Sequence, residues 1–241
     1  MADNQKPVVI LACRVMQSLI EPHLRDDEPI PTTYMDYGLH IWPEKMTPAL
    51  QSQLDALPQP SLVLIGYGLC GNGLNGLKAG PHTLIIPRAD DCITILLGSY
   101  QAYIRAFREE PGTYYLTKGW LESGSDPLKE YRQYVARYGE ENADALIDIM
   151  YRRYKRLCFV AHTQADLDEY RPQAMEVAQF CARRWGMTYE ERLGSDGLIR
   201  RLLEAGRRAE DLGDDFIVVP PGGTVAQKMF IRELDARQGL R

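Results

Sequence analysis

The sequence predicts an α/β fold with mainly parallel sheets flanked by helices. Three observations lead there. Short β-branched or aliphatic runs recur between Gly, Pro or charged residues, and helical patterns fall between them. The runs are continuously apolar rather than alternating, which suits strands buried on both faces. Strands that alternate with helices build a parallel sheet covered by those helices.

The first run is Val8–Ala12, followed by a weaker one at Thr33–Asp36 that ends before Tyr37-Gly38. Thr47-Pro48 opens a helix through Leu57, with Thr47 as N-cap and Pro48 at the first helical position. Strands at Leu62–Ile65, Thr83–Ile86 and Thr113–Leu116 come next. The polar stretch Lys118–Lys129 reads as a connection, and Asp126-Pro127 opens a helix to about Gly139. Glu141–Arg156 continues helical, and Leu157–Ala161 returns to a strand. Arg171–Trp185 carries apolar residues at helical spacing and is closed by Gly186. Thr188–Arg192 and Phe216–Val219 are the last strands, and between them Asp196–Ala205 is a helix closed by Gly206.

Each half of the chain follows one loose plan: a strand, an acidic strand ending near Gly, another strand, and a Gly-rich turn. The expectation is two similar Rossmann-like lobes, residues 1–120 and 121–241, facing each other across a cleft. Across 241 residues, 45% are hydrophobic and 25% charged, which excludes disordered and fibrous classes. A net charge of −5 argues against general nucleic-acid binding. No apolar stretch is long enough to span a membrane, and Met1–Pro7 lacks the layout of a signal peptide. Five scattered cysteines are no disulfide framework; a cytoplasmic protein with reduced thiols is expected.

Three of those cysteines share one address. Cys13 closes VVILAC, Cys70 follows LVLI within GYGLCGNG, and Cys92 follows TLII within PRADDC. In a parallel sheet all strand carboxyl ends lie on one edge, where ligand crevices form. Three thiolates converging there would suit zinc, or an iron–sulfur cluster with one iron free for substrate. Against this stands the ordinary occurrence of free cysteine in protein interiors, the role expected of Cys158 and Cys181.

The glycine-rich turn allows close backbone approach, and Gly68, Gly71, Asn72 and Gly73 are its candidate binding residues. Gly66 to Gly71 spells G-x-G-x-x-G, but no acidic residue closes a second strand about 20 positions on, as a dinucleotide site requires. Arg88 is a candidate anion holder, and Gly222 and Gly223 in PPGGT are expected to close the pocket with backbone N–H groups. A helix starting at Cys92 would lower that thiol's pKa. Candidate acid–base residues are His40, His162 and Asp91, the last equally suited to an N-cap. His82 precedes its strand and is expected on the opposite edge, while His23 sits in a charged loop.

The strings GYGLCGNG, IPRADDCITILLGS, PGTYYLTKGW and FIVVPPG resemble the family catalogued as domain of unknown function sixteen thirty-eight, over about Val8 to Pro221. The resemblance implies that the family's cysteines fall on Cys13, Cys70 and Cys92. It also implies a setting beside corrinoid methyltransferase systems, hence methyl-group or one-carbon metabolism. Quinolinate synthase is similar in plan, with one cysteine per α/β unit on an iron–sulfur cluster. Here all three candidates lie in the first 92 residues, so that arrangement is not reproduced.

The expected function is a metal-binding protein acting on a small-molecule substrate, as a metal-dependent lyase or transferase if it is catalytic. The alternative is an accessory protein that holds a corrinoid or another anionic molecule between two lobes without catalysis.

Overall fold

The structure, a computed structural model, describes residues 6–207 and 212–232; the side chains of residues 40 and 41 lie outside that description. Its strands are β1 (Val8–Cys13), β2 (Thr32–Met35), β3 (Leu62–Gly66), β4 (Thr83–Pro87), β5 (Thr113–Thr117), β6 (Arg156–Ala161), β7 (Thr188–Leu193) and β8 (Phe216–Val219). The helices that matter below are α1 (Gln17–Ile20), α2 (Gly38–Ile41), α3 (Met46–Asp55), α4 (Cys92–Leu96) and α5 (Tyr100–Glu109), then α6 (Lys118–Ser123), α7 (Pro127–Tyr138), α8 (Glu140–Tyr151), α9 (Gln164–Trp185) and α10 (Gly197–Arg207). Every apolar run read as a strand is one, and the sheets are mostly parallel.

The strands form two sheets, ordered β2-β1-β3-β4-β8 and β5-β6-β7. The chain divides into two units accordingly: one drawn from Met1–Tyr100 and Asp196–Arg241, the other from Gln101–Ser195. A boundary at residue 120 would fall inside α6. The division differs from the expected halves because β8 returns to the first sheet and pairs with β4, Leu84 opposite Val219 and Pro87 opposite Phe216. That pairing is antiparallel, unlike every other one in either sheet. The second copy of the expected repeat therefore lacks its last strand.

Burial is deepest at the sheet centres. Ile10, Leu64, Ile65 and Ile86 are fully enclosed in the first sheet, and Leu157, Cys158 and Phe159 in the second. Each such aliphatic side chain contributes about 1.5–3 kcal/mol relative to exposure. Outer strands are less apolar: β7 is part-exposed along its length, and Val218 of β8 faces solvent.

Helix ends depart from expectation in several places. A 3-10 turn at Pro43–Lys45 leads into α3, so Thr47 lies inside the helix and caps nothing. Its hydroxyl donates instead to the Gly73 carbonyl at 2.6 Å. Lys118–Lys129 is no linker: Thr117 caps α6, Gly124 ends it in a left-handed conformation, and Asp126 caps α7 by accepting from the Leu128 and Lys129 N–H groups. Helix α8 stops at Tyr151, because Arg156 is already in β6. Helix α9 begins earlier than expected, at Gln164, where the Thr163 hydroxyl accepts from the Asp166 N–H. Gly206 does not close α10 but remains within it. A Cβ there would stand 2.8 Å from Leu64 and 3.0 Å from Val8, so its absence lets the helix backbone lie against the sheet.

Candidate metal centre

Strand β1 is an inner strand of the first sheet, with β2 on one side and β3 on the other. The chain thus leaves the carboxyl end of β1 toward one side and later crosses to the other. A crevice opens outside the sheet where the order reverses in this way. Cys13 is the last residue of β1, and Gly66, the last of β3, lies beside it, with Ala12 and Gly66 as register partners.

The other two cysteines arrive on loops tied together by their backbones. The Leu69 N–H donates to the Ala89 carbonyl at 2.8 Å, and the Cys70 N–H to Asp90 at 2.9 Å. Gly68 permits this approach, since a Cβ there would meet the Asp91 backbone at 2.8 Å. Cys70, Gly71 and Asn72 then turn in succession through positive φ of 47°, 61° and 69°, and Gly73 closes the turn by donating to the Cys70 carbonyl at 3.1 Å. Left-handed conformations cost a non-glycine residue roughly 1–2 kcal/mol, and such strain clusters at functional positions. Thr47 anchors the far end of the turn through Gly73.

The three thiols interact. Cys92 shares a hydrogen bond with Cys70, and that bond, burial, and the neighbouring charges of Cys70, Asp91 and Cys13 push its pKa well above the ordinary value. Burial pushes the Cys13 thiol up to about 11, against the pull of the Val15 N–H, with Cys70 and Asp36 adding to the rise. The expected lowering of the Cys92 thiol by a helix start does not occur. Helix α4 is one short turn, and enclosure beside other acidic groups outweighs it. Cys13 and Cys92 are buried, and Cys70 is half-buried at the rim. Among the described residues, no group of three or more His, Cys, Asp or Glu side chains already stands in an arrangement that could hold a metal ion.

Tyr67 completes the cluster and escaped the sequence reading. Its side chain is 2% exposed and its hydroxyl has no well-formed hydrogen bond, yet it senses all three thiols, Cys13 most strongly. Burial, then those thiols, raise its pKa. A tyrosine directly after a buried strand reads as core; the signal available was its place between two glycines in the same turn as Cys70.

The remaining candidates fall elsewhere. The Asp91 carboxylate caps α4, accepting from the Ile93 N–H at 2.9 Å. Burial raises its pKa against that bond. The backbone of His40 lies in α2, and its side chain is outside the described residues. His162 follows β6, on the second sheet and not the one that carries the cysteines. Arg88 pairs with Asp214 at 3.3 Å, and Arg232 donates to its carbonyl. Gly222 and Gly223 follow the antiparallel β8, so they sit at the amino edge of the parallel strands, opposite the cysteines. Their N–H groups donate to Gly80 and Pro220. His82 is buried at that same edge, where its Nδ1 accepts from the Ser61 N–H. His23 bonds Asp196 at 2.7 Å, and Cys158 and Cys181 are fully enclosed core residues.

A family model described as "Protein of unknown function (DUF1638)" matches residues 34–203, most of the chain. The chain belongs to that family. The DUF1638 match includes Cys70, Cys92 and the glycine turn, and is narrower than the expected Val8 to Pro221: β1 with Cys13, and β8, lie outside it. A search of curated proteins and of solved structures found no match. No helix among the described residues is long and apolar enough to cross a membrane.

Proposed function

We propose that this DUF1638 protein binds a metal, as zinc or an iron–sulfur cluster, through Cys13, Cys70 and Cys92. The observation that carries the reading is the meeting of three thiols and a buried tyrosine hydroxyl that makes no well-formed hydrogen bond, at the point where the strand order reverses. Nearby Asp36 and Asp91 make the surroundings acidic, which favours a cation over an anion. The thiols are near one another without being preset as ligands, so binding requires their side chains to rotate together.

A centre held by three thiolates keeps one position for substrate or water and would act there as a Lewis acid. Within it, the loop pairing between Leu69-Cys70 and Ala89-Asp90 sets the spacing of two ligands. Tyr67 stands where its O–H can donate to a Cys13 thiolate, an outer contact of the kind that orients a ligand. We assign the small-molecule chemistry to lyase or group-transfer reactions in the cytoplasm, where unpaired cysteines stay reduced, and place it in methyl-group or one-carbon metabolism alongside a corrinoid methyltransferase system, the setting that the family resemblance implies.

Metal analysis and a visible spectrum of protein purified without oxygen test the assignment. Bound iron with broad visible absorption, or stoichiometric zinc in a colourless sample, is the expected result. Replacing all three cysteines with serine should abolish it, while Cys158→Ala should not. Full metal retention in the triple variant, with unchanged circular dichroism, would sink the proposal.

A further inference from the structure

Helix α8 has two apolar faces. Ala143, Ile147 and Tyr151 are buried within its own unit. On another side Ala145, Leu146, Ile149 and Met150 form an exposed apolar stripe at helical spacing, with Ile149 69% exposed. The Tyr134 hydroxyl donates to the Met150 sulfur at 3.7 Å, holding that flexible side chain beside the stripe, and exposed Tyr138 extends it. Contiguous large apolar groups on a solvated helix face mark an interaction surface.

Charge selects the occupant. The first turn of α8 is acidic, with Glu140 and Glu141, and exposed Arg152 and Arg153 follow at its other end. In an antiparallel α8–α8 pair about a two-fold axis near Ile147 and Asp148, Leu146 of one copy meets Ile149 of the other, and Ala145 meets Met150. The same axis sets Glu141 of each copy, on the flank of the stripe, beside Arg152 of the other. A parallel pair would place Glu against Glu and Arg against Arg. We propose that this face binds a second copy of the chain, forming a two-fold homodimer through antiparallel α8 helices. Twelve residues make a helix of about 18 Å, so the contact is a small, reversible interface whose rim charges fix register more than affinity.

Light scattering of the full-length reduced protein across a concentration series tests this. The expected mass rises toward twice 27.4 kDa with concentration. Ile149→Glu should weaken dimerisation by about 30-fold or more without changing circular dichroism, because the site is exposed. A Glu141→Lys protein and an Arg152→Glu protein should each dimerise more weakly alone than the parent and form a one-to-one dimer when mixed. A chain that stays monomeric at every concentration overturns the proposal. So does a dimer that Ile149→Glu leaves intact, or the absence of a mixed dimer between the two charge variants.

Discussion

Tyr67 spends burial on a hydroxyl that gains no well-formed bond in return. An unpaired buried hydroxyl costs about 1–3 kcal/mol, which sharpens the expectation for Tyr67→Phe. The metal-free protein should melt no lower than the parent. Metal affinity, read by competition with a chelator, should fall about 10–100-fold as an outer contact to a ligand is lost. Unchanged affinity would remove Tyr67 from the centre. At this scale the sequence was legible where chemistry and position coincided. The three cysteines stand out because each follows an apolar run, Cys158 reads as core because it sits inside one, and Cys181 because it lies on the apolar stripe of a helix. Tyr67 did not stand out, since an aromatic beside a strand has core packing as its ordinary explanation. The sequence around Cys92 shows a helix start but not the contact with Cys70, and that contact governs its titration.

The strands were legible as elements, and their directions were not. An apolar run carries no arrow, so FIVV gave no sign of running opposite to TLII or of lying at a sheet edge. Helix ends misled where tertiary contact overrode local signals, as at Thr47, whose hydroxyl serves the Cys70 turn, and at Gly206, whose missing side chain serves packing. The pairing of α7 with α8 makes a prediction of its own. The Tyr151 hydroxyl donates to Glu130 Oε2 at 2.6 Å, joining the two helices. Burial pushes the Glu130 carboxyl above the usual carboxylate range against that bond, and Asp126 adds to the rise. A carboxyl that titrates higher folded than unfolded costs stability while ionised, and the cost fades as pH falls through the folded value. Glu130→Gln keeps an acceptor for Tyr151 and removes the charge. Its melting temperature should exceed the parent's by on the order of 2 °C at pH 8 and converge with it near pH 4. A constant difference across that range would refute the assignment.

At the scale of the molecule, one unit is continuous in sequence and the other is interrupted by it. The segment 101–195 contains its whole sheet, with α7, α8 and α9, and should fold when expressed alone, giving a cooperative thermal transition by circular dichroism. Residues 1–100 alone lack α10 and β8 and should not. A disordered 101–195 fragment would contradict the division. The same interruption governs how the protein is made. Strand β4 and the cysteine-bearing loops on either side of it are synthesised early, yet its neighbour β8 follows only after the entire inserted unit. Pairing across so long a separation is slow. The three thiols are therefore synthesised long before the sheet that frames them is finished, and a nascent chain meets its surroundings, oxidants among them, with that edge still open.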